Sequence, residues 1–369
     1  MTVQTRYRRF IAVAAGALIA PAAFVAATSA PADAATSHKH QVYIYKMEKD
    51  LRLAGVGPDA IGVTGPQSLS CNSGDTVIDG MWMVKHVDQF NPPPSDPDDD
   101  GFPTTTTLGG TYNDERDVYV KASYPDLSVG NGNRWLYDFA NRAYGDAQLK
   151  LYVTCIRGFT ESTNSHQHPI NVTNSFTGTP GTGPQGWTGR TYWDSAGVWD
   201  CAANEYFVAP GFNLAPAGAV DHRLVASVPT NNGASWRWEF AANSLASVAF
   251  YGKCISNRVG IAGGHKHGLA MKHLPSSNFN LGHQYGIDMG DPSNVQFTCD
   301  EDVPSYHGYK AGVGWFYMAD FWEYNWFLGM EPRPKTRVYR FFHDWPVDGQ
   351  VKVGALCINS RTSNPLVGP

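Results

Sequence analysis

Leu149-Lys150-Leu151-Tyr152-Val153-Thr154-Cys155-Ile156 is a strand-like run that ends in a cysteine, and eleven residues past that cysteine comes His166 of Ser165-His166-Gln167-His168. Both signals recur in phase. Val248-Ala249-Phe250-Tyr251-Gly252-Lys253-Cys254-Ile255 is followed, again at eleven residues from its Cys, by His265 of Gly264-His265-Lys266-His267. Val351-Lys352-Val353-Gly354-Ala355-Leu356-Cys357-Ile358 ends a third segment, and Ser37-His38-Lys39-His40 opens the first. Each His pair is followed by an earlier Cys, with 33, 35 and 34 residues from His38 to Cys71, His166 to Cys201 and His265 to Cys299. A period of this kind is the mark of duplicated units, and it has to be found before any motif is weighed.

The interiors correspond as well. Ala122-Ser123-Tyr124-Pro125 matches Ala226-Ser227-Val228-Pro229, and each leads to a Trp-bearing strand (Trp135; Trp236 and Trp238) and then to Asn141 or Asn243. The third copy keeps only the frame, with Arg337-Val338-Tyr339-Arg340-Phe341-Phe342 in the Trp-strand slot and His343 in the Asn slot. Short β-branched and aromatic runs broken by turns such as Gly130-Asn131-Gly132-Asn133 and Asn231-Asn232-Gly233 predict strands, and no stretch has helical periodicity. The order Cys, Ser-x-Pro, Trp strand, Asn, Tyr-x-x-Cys resembles a module of exported bacterial tandem-repeat proteins built of Cys-bridged β-sandwiches. That resemblance covers most of the first two copies and brings no catalytic residues with it.

The expected fold is therefore all-β: three tandem antiparallel β-sandwich modules, one disulfide each, after a cleaved signal peptide. The boundaries are 1–34 for the signal, 35–157 for module 1, 158–256 for module 2 and 257–369 for an aromatic-rich module 3. Arg6, Arg8 and Arg9 precede an uncharged Ala-rich stretch, and Ala32-Asp33-Ala34 supplies the small-x-small cleavage pattern. In an exported chain, six Cys at two per module read as Cys71–Cys155, Cys201–Cys254 and Cys299–Cys357, the one pairing of fifteen that respects the repeat.

Composition narrows the function. Of 369 residues 17% are charged, with 28 basic and 33 acidic side chains for a net charge of -5, and no Lys/Arg cluster tracks a phosphate backbone. Nucleic acid is not an expected partner. No segment of the mature chain is long and apolar enough to span a membrane. Nucleophile elbows, P-loops, dinucleotide fingerprints and zincin motifs are missing, which favours a non-catalytic role.

Three groups of residues could carry chemistry. In each His-x-His pair both imidazoles project from one strand face, so His38, His40, His166, His168, His265 and His267 could share a transition metal if the modules pack around a pseudo-threefold axis. Cleavage after Ser37 would instead place His38 at an amino terminus, as in copper-dependent polysaccharide monooxygenases, but His166 and His265 cannot be termini. In an insertion at 91–114, Asp96, Asp98 and Asp100 before Gly101 match the first half of a calcium loop, without the bidentate Glu that closes one. Finally, Trp315 to Leu328 reads as one strand with two aromatic faces, on which Trp322, Tyr324 and Trp326 could form a platform for sugar rings. The expectation is a secreted or cell-surface structural or ligand-binding protein, with an extracellular glycan or protein as possible partner, self-association open, and calcium or a transition metal as possible cofactor. A secreted polysaccharide-active enzyme or carbohydrate-binding protein is the alternative.

Overall fold

The computed structural model describes residues 37–55, 62–63, 65–87, 115–128, 132–143, 145–179, 182–187, 190–214, 222–241, 248–260, 264–281, 293–299, 308–320, 325–343 and 349–366. Residues 1–34, expected to be a signal, and the insertion at 91–114 lie outside them. Among the described residues the regular structure is β, apart from two single 3-10 turns. Module 1 supplies β1 (Ile44–Leu53), β2 (Gly62–Val63), β3 (Gln67–Ser70), β4 (Thr76–Val87), β5 (Val118–Pro125), β6 (Arg134–Asn141) and β7 (Ala147–Ile156). Module 2 supplies β8 (Val172–Gly178), β9 (Thr182–Trp187), β10 (Arg190–Asp194), β11 (Glu205–Asn213), β12 (Arg223–Thr230), β13 (Ser235–Ala241) and β14 (Ala249–Ser256). Then follow β15 (Arg258–Val259), β16 (Lys266–Gly268), β17 (Met271–Leu281), β18 (Ser293–Thr298), β19 (Tyr309–Asp320), β20 (Asn325–Pro332), β21 (Thr336–His343), β22 (Gly349–Asn359) and β23 (Pro365–Leu366).

Each copy folds into two half-sheets, and neighbouring copies complete one another's sheets. The three large sheets run β1-β7-β4-β20-β21-β18, β8-β14-β11-β5-β6-β2 and β17-β22-β19-β12-β13-β10-β9. The seams are Gly329↔Met83, Phe212↔Ser123 with Asn213↔Ala122, and Ala226↔Tyr317 with Ser227↔Phe316. Module 1 thus joins module 3, module 3 joins module 2 and module 2 joins module 1, a closed pseudo-threefold cycle. Pairing the inner edges in this way removes six unpaired strand edges, two at each seam, that would otherwise invite aggregation. At one seam Gly329 has φ +125°, and a Cβ there would fall on the Trp82 carbonyl, so only glycine lets β20 approach β4.

Corresponding residues of the three segments take corresponding places in the sheets. The terminal strand carries the second Cys of each disulfide, and the bridges Cys71–Cys155, Cys201–Cys254 and Cys299–Cys357 have Cα separations of 5.8, 5.7 and 5.7 Å. Closing loops of 84, 53 and 58 residues stabilises each by about 4 kcal/mol in the chain-entropy picture. A register shift follows the residue paired with the terminal Cys in modules 1 and 3, after Val77 and Ala311, and comes one pair later in module 2, after Val208. Trp135 and Trp236 are fully buried, and their indole N–H groups donate to Ser123 Oγ and Ser227 Oγ at 2.9 Å each. The Ser-x-Pro signature is therefore a hydrogen-bond seat for a core tryptophan, which could not be buried cheaply without one.

Two expectations need correcting. The third copy does not merely keep the frame: Pro332↔Arg337 stands in register with Pro125↔Trp135 and Pro229↔Trp236, so Arg337 occupies the tryptophan position itself. It is 1% exposed, and its guanidinium pairs with Asp79 at 3.7 Å and donates to Thr154 Oγ1 and the Gly312 carbonyl, while its Nε is buried without a partner. The aromatic run from Trp315 to Leu328 is also not one strand. β19 ends at Asp320 and β20 begins at Asn325, and the two belong to different sheets, so alternation along a single strand does not assign its faces.

Candidate metal centre

The three His pairs meet. Each is held by the residues that follow the last strand of another copy, again in cyclic order. Thr362 bonds His40 through both backbone and side chain, with Thr362 N–H donating to the His40 carbonyl at 2.9 Å and His40 N–H to Thr362 Oγ1 at 2.9 Å. Thr160 does the same for His168, at 2.9 and 3.0 Å. Val259 on β15 pairs with His267 on β16. Thr160, Val259 and Thr362 each lie five residues past their terminal Cys. The constant spacing from Cys to the following His pair thus has a structural meaning, since it sets the length of the strap that carries the next pair to the axis.

The six rings form two layers. His40, His168 and His267 are buried, with exposures of 0, 5 and 0%, whereas His38 and His166 are half-buried and His265 is exposed. Within the inner layer the ring centroids are 4.7 to 4.8 Å apart, and within the outer layer 4.9 to 5.4 Å. Donor atoms of His38, His166, His168, His265 and His267 all lie within 4.8 Å of one another. His40 completes the set, its ring 4.7 to 5.1 Å from those of His38, His166, His168 and His267.

Orientation decides what this cluster can do. His40 Nδ1 sits 3.0 Å from the Glu161 carbonyl and His267 Nδ1 2.8 Å from the Ser363 carbonyl. A carbonyl can only accept, so Nδ1 carries the proton and Nε2 presents its lone pair. This is the outer-shell arrangement that fixes the tautomer of metal-binding imidazoles. The Nε2 atoms of His40, His168 and His267 are buried with no hydrogen-bond partner. Leaving a buried acceptor unsatisfied costs about 1 to 3 kcal/mol, and here three converge. His38 Nε2 and His166 Nε2 lie 3.1 Å apart in the outer layer.

The electrostatics favour the neutral form of His40, His168, His265 and His267. Burial, followed by the repulsion of the other imidazolium groups, pushes His168 down to about 4. Burial is also the main cause that lowers His40, His265 and His267. Neutral imidazole is the form that binds a cation, so at neutral pH these four need little proton release to ligate one.

The other candidates fare differently. Asp96, Asp98 and Asp100 lie outside the described residues, as do Trp322 and Tyr324. Trp326 is half-buried on β20, capped by the Arg223 guanidinium 4.4 Å from its ring and met edge-on by Phe342 at 5.5 Å. It packs between modules. The straps Thr160, Val259 and Thr362, and the buried Asp79–Arg337 pair, were missed by motif reasoning; aligning the residues after each terminal Cys would have pointed to the straps. No helix of the described residues is long and apolar enough to cross a membrane. No protein-family model and no curated protein matches the chain, so what it does has to be read from the site itself.

Proposed function

We propose that this is an exported, non-catalytic structural protein, a pseudo-trimer in a single chain whose three modules are clamped at their common axis by a metal ion on His38, His40, His166, His168, His265 and His267. The observation that carries the reading is the convergence of three buried, unpartnered Nε2 atoms, two of them on rings whose Nδ1 faces a backbone carbonyl. Six protein ligands close a coordination shell, and closed shells belong to structural sites, because catalytic sites keep a position open for water or substrate. The three disulfides support an oxidising, extracellular destination. Each bridge staples one module internally, whereas the histidines join modules to each other. The two devices are complementary: one prevents a module from opening, the other prevents the cycle from opening.

Elemental analysis of protein purified without chelator tests the proposal, together with titration of stripped protein. The expected result is one transition-metal ion per chain, with a rise in melting temperature on reloading. Protein that carries none and takes up none refutes it.

A further inference from the structure

We infer that the centre takes a divalent ion that favours six nitrogen ligands in an octahedron, of the iron(II), cobalt(II) or nickel(II) kind, and does not hold zinc in its usual four-coordinate form; this rests on the metal reading above. The neighbour relations of the rings carry the inference. In a trigonal prism each outer ring would stand over one inner ring. Here each stands between two. His38 is 5.1 Å from His40 and 5.0 Å from His267, His166 is 5.1 Å from His168 and 4.9 Å from His40, and His265 is 5.2 Å from His267 and 4.7 Å from His168. The layers are staggered, and a staggered pair of triangles is an octahedron. The pairs left to face each other across the centre are His38 with His168, His40 with His265 and His166 with His267, each drawn from two different modules.

The donor spacing agrees. Metal–imidazole bonds of about 2.1 Å would put adjacent nitrogens about 3.0 Å apart and opposite ones about 4.2 Å apart in an octahedron. His38 Nε2 and His166 Nε2 are 3.1 Å apart, and the greatest separation among the donor atoms of His38, His166, His168, His265 and His267 is within 4.8 Å. For these five a contraction of a few tenths of an ångström brings the donors onto the ion, and His40, outside that 4.8 Å set, has to close in farther to complete the shell. Four-coordinate zinc would use four rings and leave two crowded against it. Imidazole suits iron, nickel, copper and zinc alike, so geometry rather than donor type makes the selection. Copper(II) prefers a tetragonal field, which three equivalent His pairs do not provide.

The test loads the stripped full-length protein separately with cobalt(II), nickel(II), zinc(II) and, without oxygen, iron(II). Cobalt is the optical reporter, since its six-coordinate complexes are faintly coloured and its four-coordinate ones intensely blue, and X-ray absorption counts the nitrogen shell. The expected outcome is one cobalt per chain with the faint spectrum and six nitrogens at about 2.1 to 2.2 Å. His265→Ala, at the exposed ring, is expected to fold, keep its other five imidazoles and release metal at least tenfold faster. An intensely blue cobalt form, a four-nitrogen shell, or unchanged metal release in His265→Ala overturns the octahedral assignment while leaving the metal clamp standing. Failure to bind any of the four ions overturns both.

Discussion

Arg337→Leu removes the only guanidinium that pairs with Asp79 among the described residues and leaves a carboxylate 1% exposed between modules. Asp79 retains the backbone N–H groups of Gly314, at 3.0 Å, and of Gly80 as donors. Even with Arg337 present, burial pushes its carboxyl up to about 6 from an ordinary 3.8. A raised acid binds its proton more readily when folded, so this group's contribution to stability falls as pH rises from about 4 to about 6. At about 1.4 kcal/mol per pH unit the cost at pH 7 is about 3 kcal/mol. Taking away the cation raises the carboxyl further, and breaking a buried pair costs about 3 to 5 kcal/mol. Module 2 shows how to repair it, because Val208 holds the position of Asp79 in the register with the terminal strand. Urea unfolding of the oxidised protein is expected to show Arg337→Leu less stable by about 3 to 5 kcal/mol at pH 7 and by clearly less at pH 5. Asp79→Val with Arg337→Leu should recover most of the loss. A single variant that loses under about 1 kcal/mol, a loss that does not change between pH 5 and 8, or a double variant no better than the single refutes the account.

Three further outcomes follow from other buried groups. His273 has both ring nitrogens buried without partners beside Tyr206 and Trp236, and burial pushes it down to about 3. The unfolded chain therefore gains a proton below about 6.5 that the native state refuses, costing up to about 1.4 kcal/mol per pH unit, and His273→Leu should flatten the fall in melting temperature between pH 6.5 and 4.5. Lys253 is 3% exposed, reaches only the Gly132 carbonyl at 2.6 Å among the described residues, and is held down to about 8 by burial. Its folded state prefers the neutral amine, so the penalty is complete below pH 8, and Lys253→Met should raise stability at pH 7 by about 1 to 3 kcal/mol in calorimetry; a loss of that size would show the Gly132 bond to matter more. His168→Ala removes an inner ligand, and metal content after dialysis is expected to fall to a small fraction of the wild-type level.

The parts of this architecture that could be read from the chain are those whose signals recur in phase along it. Cys155, Cys254 and Cys357 recur in equivalent strands, so the disulfides were legible, and so was the possibility that the His pairs share an axis. What closes the axis was not legible. It depends on Gly329 admitting β20 against β4 and on seams such as Phe212↔Ser123, which are contacts between edges far apart in sequence with no local signature. Arg337 looked like divergence because a charged residue in a core strand carries no hint of a partner more than two hundred residues away. The aromatic run from Trp315 misled because alternation does not reveal where a chain turns, and here the break falls between Asp320 and Asn325.

The strap that secures the first His pair is the last to be made. Thr362 and Arg361 reach back to His40 and Gln41, so the beginning and end of the folded chain lie side by side. During synthesis two-thirds of the ring must wait with open seams until the final module emerges, and the His cage cannot close before then. The same adjacency means that the molecule has three equivalent doors. Joining Leu366 to Ser37 through a short linker and cutting instead between Cys155 and His166, or between Cys254 and His265, would give permuted chains that keep every seam and change only the order in which the thirds are born.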